Sequence, residues 1–246
     1  MTPPGSAADA YADKTCSAPI TRSHQMRDIV VAQLTATGPL RLLDLGCGSG
    51  SLAWLLADAL PAASVTGIDV SPSNIRAALA QKVDRASSGR VAFEVADYLE
   101  YRADPFDAIV ADGVLHLIPG DTHTLVRKIA GDLRAGGVFI CSMPFDCFYN
   151  RTFAVVRRIL RAVRSPLVDA AILQAGRLLH GREMDDDRLR ERVAYMYIPP
   201  ERMMDEALGK QFASVGFRRA TELAMRSTSP SQLKHSATVF VRVAAR

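Results

Sequence analysis

The chain has 246 residues, of which 48% are hydrophobic and 23% are charged, a composition typical of one globular domain with room for an appended cap. No apolar run reaches the roughly 18 residues that span a bilayer. Residues 1–10 lack the pattern of a secretory signal, and the four cysteines form no CxxC pair, so we expect a cytoplasmic protein without disulfides or a metal site. The net charge is +4, from 25 arginines and five lysines that are interspersed with acids. This distribution favours a solvated surface over a nucleic-acid partner.

Alternating helical and strand patterns predict an α/β fold with a doubly wound, mostly parallel seven-stranded sheet. Apolar residues at helical spacing indicate the helices, and short apolar runs followed by turn residues indicate buried strands. In chain order the predicted elements are helix 21–34, strand 40–45, helix 51–60, strand 64–70, helix 72–83, strands 91–95 and 106–111, helix 122–134 closed by a Gly-Gly pair, strand 138–143, helices 151–164, 166–180 and 201–215, and strands 218–225 and 237–243. The C-terminal strands are expected to supply an antiparallel edge strand.

Residues 145–199 interrupt this alternation, because they carry two helical patterns and an acidic loop where a strand is due. We predict that they form a helical cap over the carboxyl ends of the strands and contribute the substrate pocket. Residues 21–144 and 200–246 then form the Rossmann-like core, and residues 1–20 an N-terminal lid segment.

The first cap helix, predicted over 151–164, has an apolar stripe that includes Val156 and Ile159, with arginines such as Arg157 and Arg158 on the other face. This pattern favours an amphipathic cap helix with a solvated basic face. Contact with an anionic membrane or an acidic carrier protein is the alternative.

The strongest motif is LLDLGCGSG at residues 42–50, where a buried strand turns sharply into a helix. Glycine lets the backbone bend there and approach a ligand that a Cβ would obstruct. The place is the crevice in which open α/β sheets bind their ligands. The spacing is GxGxG, and Ser51 stands where a dinucleotide fingerprint has its third glycine, so the motif disfavours NAD and FAD.

Three further motifs follow at strand ends. Asp69 ends the second strand, 19 residues after Gly50, where a carboxylate can accept both hydroxyls of a ribose. Asp97 follows the third strand, and the fourth motif is FDAIVADGVLH at 106–116. Together with LRAGGVFI at 133–140, these motifs resemble the class I (Rossmann-like) S-adenosylmethionine-dependent methyltransferases of small-molecule type, over residues 21–144 and the C-terminal strands.

The resemblance implies S-adenosylmethionine as cofactor and S-adenosylhomocysteine as product. The glycines would line the methionine part with Asp44 fixing their loop, Asp69 would hold the ribose, and Asp97 would bind the adenine amino group unless it only caps a helix. Tyr11 would fold over the cofactor, and Arg22 would contact its carboxylate. The predicted cofactor-binding residues are Asp44, Gly46, Cys47, Gly48, Gly50, Asp69, Val70, Asp97, Tyr98, Ala111, Tyr11 and Arg22.

Methyl transfer is an in-line displacement, so the protein mainly positions the reactants and excludes water, and a base is optional. His116, after the fourth strand, is the best candidate for that base, with packing against the cofactor or cap as the alternative. In the cap, Tyr149, Asn150 and Tyr195 offer hydroxyl, amide and aromatic groups to an acceptor; packing between helices is the alternative for each.

The sequence therefore predicts an enzyme of secondary metabolism that moves a methyl group from S-adenosylmethionine to an O or N atom of a small molecule. The predicted cap favours a small molecule as substrate, because an inserted cap encloses a pocket. The alternatives are other chemistry on the cofactor (intramolecular cyclisation or aminocarboxypropyl transfer), nucleic-acid methylation, and cofactor binding without turnover. The run Asp-Gly-Val-Leu at 112–115 replaces the polar-Pro-Pro-aromatic pattern of enzymes that methylate exocyclic amines, which counts against nucleic acid. No oligomeric state is predicted.

Overall fold

The computed structural model describes residues 20–34, 38–81, 85–180, 189–190, 193, 196–225 and 233–243. The predicted lid residues 1–19, with Tyr11, and the cap residue Tyr195 lie outside this set. In chain order the elements are α1 (Ile20–Gln33), β1 (Leu40–Leu45), α2 (Ser51–Ala59), β2 (Ala63–Asp69), α3 (Pro72–Ala80), the short 3-10 turn Ser88–Arg90, β3 (Val91–Val95), β4 (Phe106–Asp112), α4 (Thr122–Asp132), β5 (Leu133–Pro144), α5 (Phe148–Ala162), α6 (Pro166–His180), α7 (Glu206–Ser214), β6 (Phe217–Ala224) and β7 (His235–Arg242). None of the helices in the described ranges is long and apolar enough to cross a bilayer.

The seven strands form one sheet in the order β3-β2-β1-β4-β5-β7-β6. Strands β1 to β5 pair in parallel, and β7 pairs antiparallel with both β5 and β6. The predicted α/β fold class is confirmed, and the antiparallel strand lies second from the edge. The apolar strand β7 is almost wholly buried and takes the interior place, whereas the polar strand β6 is mostly exposed and forms the edge.

The sheet is covered on both faces, which is why its central strands read as continuous apolar runs. One core cluster surrounds Trp54, whose indole donates to Ala78 O at 3.2 Å, and includes residues of α1 and α2. The other lies under α4 and α7 and contains stacked phenylalanines, with the ring centroids of Phe212 and Phe240 4.2 Å apart. The central strands β1 and β4 therefore present mainly their ends to solvent, whereas the edge strand β3 is largely exposed. Strand β1 lies between β2 and β4 at the point where the strand order reverses.

Two predicted boundaries show how tertiary contacts change the ends of helices. The helix predicted over 122–134 ends at Asp132, because Leu133 already pairs with Phe106 and begins β5 ahead of the Gly-Gly pair, with an irregular register after Phe106. The helix predicted over 201–215 begins at Glu206. The residues before Glu206 are not helical. Met204 N donates to Pro144 O at the end of β5, at 2.7 Å, and Asp205 is the N-cap, whose side chain accepts from Leu208 N.

The predicted cap segment contains α5 and α6, and α5 lies on the core in an unexpected orientation. Its buried residues are Asn150, Ala154 and Arg157, whereas Phe148 and Ile159 are exposed. The expectation that the arginines form a solvated face is therefore wrong for Arg157. Its guanidinium donates to Ile198 O at 3.1 Å. A buried cation needs such hydrogen bonds to offset its loss of hydration.

Candidate active site

The loop between β1 and α2 is a tight turn at the carboxyl end of β1. The backbone N–H groups of Gly46 and Cys47 both donate to Ile68 O, at 2.9 Å each, which ties the loop to the end of β2. Gly46, Gly48 and Gly50 have φ of 69°, 54° and 82°, a region that other residues rarely adopt. Burial raises the pKa of the Cys47 thiol, so this predicted cofactor contact is a neutral group.

Close packing gives two of these glycines a second reason to lack a side chain. A Cβ on Gly46 would lie 2.5 Å from the Val114 side chain, which follows β4. A Cβ on Gly50 would lie 2.7 Å from Phe93 and 2.8 Å from Ala78. The loop therefore packs against the segment after β4 on one side and against β3 and α3 on the other. A side chain at Gly46 or Gly50 would have no room.

Asp69, at the end of β2, holds the glycine loop in place. One carboxylate oxygen accepts from Gly48 N at 2.9 Å, and the other accepts from Ser71 N at 2.8 Å and Asn74 Nδ2 at 3.1 Å. A carboxylate offers about four lone-pair positions, so these three bonds leave capacity for a ligand hydroxyl. The contact of Asp69 with a ribose stays a prediction.

Asp44 is a buried acid beside this loop, and the residue is only 1% exposed. Burial, and to a lesser degree the charges of Asp112 and Asp69, raises the pKa of Asp44 to about 8, while a backbone hydrogen bond from Ala53 opposes this rise. Its Oδ2 has no hydrogen-bond partner among the described residues. A buried acceptor without a partner, next to two other carboxylates, is suited to a ligand that brings a positive charge.

The residues predicted around the adenine are divided between surface and core. Asp97 is exposed, and its Oδ1 accepts from Leu99 N at 2.9 Å within a turn; no helix follows it before β4, so the alternative of a helix cap is wrong. Tyr98 is 3% exposed and packs in the core, with the Lys128 ammonium 4.7 Å from its ring centroid. Val70 is half-buried after β2. The structure therefore leaves Asp97 and Val70 accessible to a ligand and gives the Tyr98 side chain a packing role.

Arg22 crosses from α1 to the carboxyl ends of β4 and β5. Its Nε donates to Asp112 Oδ1 at 2.8 Å, and its Nη2 contacts Ser142 Oγ at 2.5 Å and His235 Nδ1 at 3.0 Å. Ser142 also donates to Asp112, at 2.6 Å. The guanidinium is thus engaged within the chain, and its contact with a cofactor carboxylate stays a prediction. Ala111, in β4, is fully buried, and its contact with the cofactor also stays a prediction.

His116 lies just after β4, 5% exposed, with its ring edge-on to His235 at a centroid distance of 5.4 Å. Burial, together with the charges of Arg157, Arg22 and Arg202, holds the pKa of His116 well below its ordinary value. Its Nδ1 has no hydrogen-bond partner among the described residues. The imidazole is therefore neutral at neutral pH and can accept a proton, although its lowered pKa makes it a weak base.

Two of the predicted cap residues have internal partners. The buried amide of Asn150 donates to Phe145 O at 2.7 Å and Lys234 O at 2.8 Å, and accepts from Lys234 N at 2.9 Å. These bonds join the start of α5 to the segment before β7, so Asn150 has a structural position. The Tyr149 ring stacks on Phe153, with the Lys234 ammonium 5.2 Å from its centroid.

Sequence reasoning missed several groups that lie near Arg22 or His116. His235, Arg157 and Ser142 reach the site from distant parts of the chain, and Arg202 fixes the loop that carries His116 by donating to Leu115 O and Ile118 O at 2.7 Å each. No local pattern marks these residues. Their separation along the chain, 213 residues between Arg22 and His235, leaves only the fold to bring them together.

A separate cavity of about 530 Å³ lies between α5 and α7. It is lined mainly by polar and charged side chains, including the ion-paired Asp146 and Arg151. None of the predicted site residues lines it, so it is distinct from the crevice beside the glycine loop.

Comparison with known sequences agrees with this geometry. The family model described as a methyltransferase domain matches residues 43–139. A trans-aconitate 2-methyltransferase of Streptomyces avermitilis is 33% identical over 127 residues, 51% of this chain and 46% of that protein. One from Methylobacterium radiotolerans is 34% identical over 148 residues, 58% of this chain and 52% of that protein. The chain thus matches about half the length of these curated relatives.

Comparison with solved structures shows the same fold across most of the chain. The magnesium protoporphyrin IX methyltransferase ChlM from Synechocystis PCC 6803, solved with bound S-adenosylhomocysteine, superposes with a TM-score of 0.60 at 21% identity, over 95% of this chain and 91% of that one. The N-methyltransferase NodS from Bradyrhizobium japonicum WM9 gives 0.56 at 16% identity, over 91% and 96%. The [4+2]-cyclase SpnF gives 0.60 at 17% identity, over 90% and 81%.

The sequence match covers the glycine loop and the strands that follow it, and the structural matches extend the same sheet to the C-terminal strands. Residues 43–139 are therefore similar to a methyltransferase domain, and most of the chain has the fold of the solved methyltransferases.

Proposed function

We propose that the protein binds S-adenosylmethionine at the carboxyl ends of β1, β2 and β4 and transfers its methyl group to an O or N atom of a small molecule. The observation that carries this proposal is the tie between Asp69 and the glycine loop at Gly48 N, beside the buried, partnerless oxygen of Asp44. These groups fit the ligand, because one end of S-adenosylmethionine is a cationic amino acid and the other is a ribose with adjacent hydroxyls.

Each end of the cofactor finds suitable residues in this chain. The amino group would neutralise Asp44, which burial otherwise keeps largely protonated at neutral pH. The ribose hydroxyls would take the remaining acceptor positions of Asp69. When bound, S-adenosylmethionine supplies a methyl group already activated on a sulfonium, so the residues around it need only orient the acceptor and exclude water.

The acceptor side is formed by groups around His116. Burial is the main cause of the lowered pKa of His116, and the positive charges of Arg157, Arg22 and Arg202 lower it further. These three guanidinium groups contribute a positive potential at this position. A positive potential favours an anionic acceptor, such as a carboxylate oxygen, which needs no base. The relatives are named for trans-aconitate, but the family match ends at residue 139, before the cap, so we propose a carboxylate acceptor without assigning that compound.

Cofactor binding is tested by calorimetry with S-adenosylhomocysteine. Asp69→Ala should weaken binding by about tenfold to 100-fold, because hydrogen bonds to a charged group are lost. Asp104→Ala is the matched control, since the Asp104 side chain is 91% exposed beside the start of β4, at the opposite end of the sheet. Equal affinity of Asp69→Ala and the unchanged protein would refute the assignment of the cofactor site.

The reaction is tested by incubating the protein with S-adenosylmethionine and a panel of small carboxylic acids, followed by mass spectrometry. The expected products are a methyl ester and S-adenosylhomocysteine in equal amounts. A product that forms from S-adenosylmethionine without any acceptor would show cyclisation or another transfer, and would contradict methyl transfer while leaving the cofactor site intact.

A further inference from the structure

His235 is a partly buried histidine beside the proposed acceptor position. It begins β7 and pairs with Pro144, the last residue of β5. Because β7 runs antiparallel to β5, its first residue lies at the carboxyl end of the parallel strands, where open α/β sheets bind their ligands. The His235 ring meets His116 edge-on, at a centroid distance of 5.4 Å. His235 therefore lies at the same edge of the sheet as the glycine loop.

Arg22 decides which nitrogen of the His235 ring carries the proton. Arg22 Nη2 lies 3.0 Å from His235 Nδ1, and a guanidinium can only donate, so Nδ1 must accept this hydrogen bond. Burial, and after it the charge of Arg22, holds the pKa of His235 well below its ordinary value, so the ring is neutral at neutral pH. The single proton of a neutral imidazole then stays on Nε2, which makes Nε2 a hydrogen-bond donor.

Three groups fix the position of the Arg22 guanidinium. Its Nε donates to Asp112, and its Nη2 group contacts Ser142 Oγ as well as His235. Gly113 leaves the space that the guanidinium needs, because a Cβ there would lie 2.6 Å from Arg22 Nη2. Gly113 also has a φ of 72°, in the region that favours glycine. The ends of β4 and β5 therefore hold Arg22, and Arg22 in turn orients the His235 ring.

The two histidines present polar atoms that a ligand can satisfy. His116 is 5% exposed, and its buried Nδ1 has no hydrogen-bond partner among the described residues. Buried polar atoms in folded proteins nearly always have a partner, so this nitrogen points to a ligand beside it. Among the described residues, only Arg22 forms a hydrogen bond with the His235 ring, and it uses Nδ1. The Nε2–H group of His235 is therefore available to the same ligand.

We propose that His235 binds the carboxylate of the acceptor through Nε2–H, and that Arg22 is the positioning residue that keeps the proton on this nitrogen. A carboxylate fits because it only accepts hydrogen bonds, and the guanidinium groups of Arg22 and Arg157 contribute a favourable charge. A hydrogen bond to a charged acceptor is also stronger than one to a neutral amide. This role rests on the proposed function for the identity of the site, and it adds a residue that distinguishes an acid from its uncharged analogues.

Nitrogen nuclear magnetic resonance of the unchanged protein tests the tautomer, because protonated and unprotonated ring nitrogens differ in chemical shift. The His235 signals are identified by their absence from the spectrum of His235→Gln. We expect a neutral ring with its proton on Nε2, and a mixture of both tautomers in Arg22→Met. A proton on Nδ1 or a doubly protonated ring in the unchanged protein would overturn the proposal, as would an unaltered tautomer in Arg22→Met.

Calorimetry with succinate tests carboxylate binding, with succinamide as the uncharged analogue of the same length. The titrations are made on the free protein and again with S-adenosylhomocysteine present. Succinate should bind at least about tenfold more tightly than succinamide, as expected for hydrogen bonds to a charged group. His235→Leu should lose about tenfold of the succinate affinity. His235→Gln should keep most of it, because its amide can accept from Arg22 and still donate to the acid.

His123→Leu provides the matched control, because His123 is an exposed histidine at the start of α4. It should bind succinate like the unchanged protein, and unaltered circular dichroism should show that all variants fold. Equal affinity for succinate and succinamide, full affinity in His235→Leu, or equal losses in His235→Leu and His235→Gln would overturn the proposal. A protein that binds succinate selectively through His235 but does not bind S-adenosylhomocysteine would refute the proposed function and support the role of His235.

Discussion

Apolar residues are buried in the region from β1 to α3 but exposed on much of helix α5. In the first region, apolar side chains fill the core, and the one acid at the end of β2 ties the glycine loop together. In α5 the buried side includes Asn150 and Arg157, and Ile159 faces outward. The difference shows that the surface on which a helix packs decides which of its sides is buried. The inner side of α5 meets the backbone carbonyls of Phe145, Lys234 and Ile198, which need donors rather than methyl groups.

Truncating one isoleucine on the buried side of a core helix and one on the exposed side of α5 tests this difference. Ile129 on α4 is fully buried, and Ile129→Ala should lower the free energy of unfolding by about 2–5 kcal/mol through lost burial and a residual cavity. Ile159→Ala should change it by less than about 0.5 kcal/mol, because the side chain is largely exposed. Urea denaturation measures both values. Similar losses in the two variants would show that α5 packs its apolar stripe inward.

A second pair of variants tests the packing of the glycine loop. Gly50→Ala introduces a Cβ at a φ of 82° and 2.7 Å from Phe93, and should cost about 3 kcal/mol, from backbone strain and overpacking together. Gly136→Ala has a similar φ of 78° but no atom within 4 Å of its Cβ, so it should cost only the backbone part, about 1–2 kcal/mol.

Denaturation of both glycine variants in parallel separates the two contributions. If the two losses are equal, the loop relaxes around a side chain, and the close packing against β3 carries no energy of its own. A loss of affinity for S-adenosylhomocysteine confined to Gly50→Ala would add that the same packing shapes the cofactor site.

A pH dependence is also expected in the glycine-loop region. The pKa of Asp44 is about 8 in the free protein, and a cationic amino group beside it would lower this pKa, so binding below pH 8 must release a proton. The affinity for S-adenosylhomocysteine should therefore rise from pH 6 to pH 8, by at most about tenfold per pH unit. Calorimetry in buffers of different ionisation enthalpy measures both the affinity and the proton released.

The stability of the free protein should follow the opposite trend. Because the pKa of Asp44 in the folded state exceeds its ordinary value of 3.8, its contribution to stability is complete below pH 4 and is lost as the pH rises towards 8. Asp44→Asn, which stays neutral, should remove both trends. A pH profile of binding that is the same in Asp44→Asn would assign the proton to another group.

Sequence patterns were informative wherever burial on both sides of an element constrains each residue. The order of helices and strands followed from apolar periodicity, and the glycine loop with Asp69 followed from a motif whose parts are local or one crossover apart. Sequence patterns were not informative where the partner of a side chain comes from a distant segment. Tyr98 resembled a cofactor contact and Asn150 an acceptor contact, but Lys128 lies over the first and Lys234 binds the second.

Apolar runs and turn residues were enough to predict the parallel core and the glycine loop, because strand burial and tight turns restrict residue type within a few positions. Three features needed the folded structure: β7 takes the interior place beside β5, Arg22 meets His235, and α5 turns its apolar stripe outward. The physical reason is the same in all three cases. Which of two possible faces or neighbours an element takes depends on hydrogen-bond partners far along the chain, and local periodicity holds no record of them.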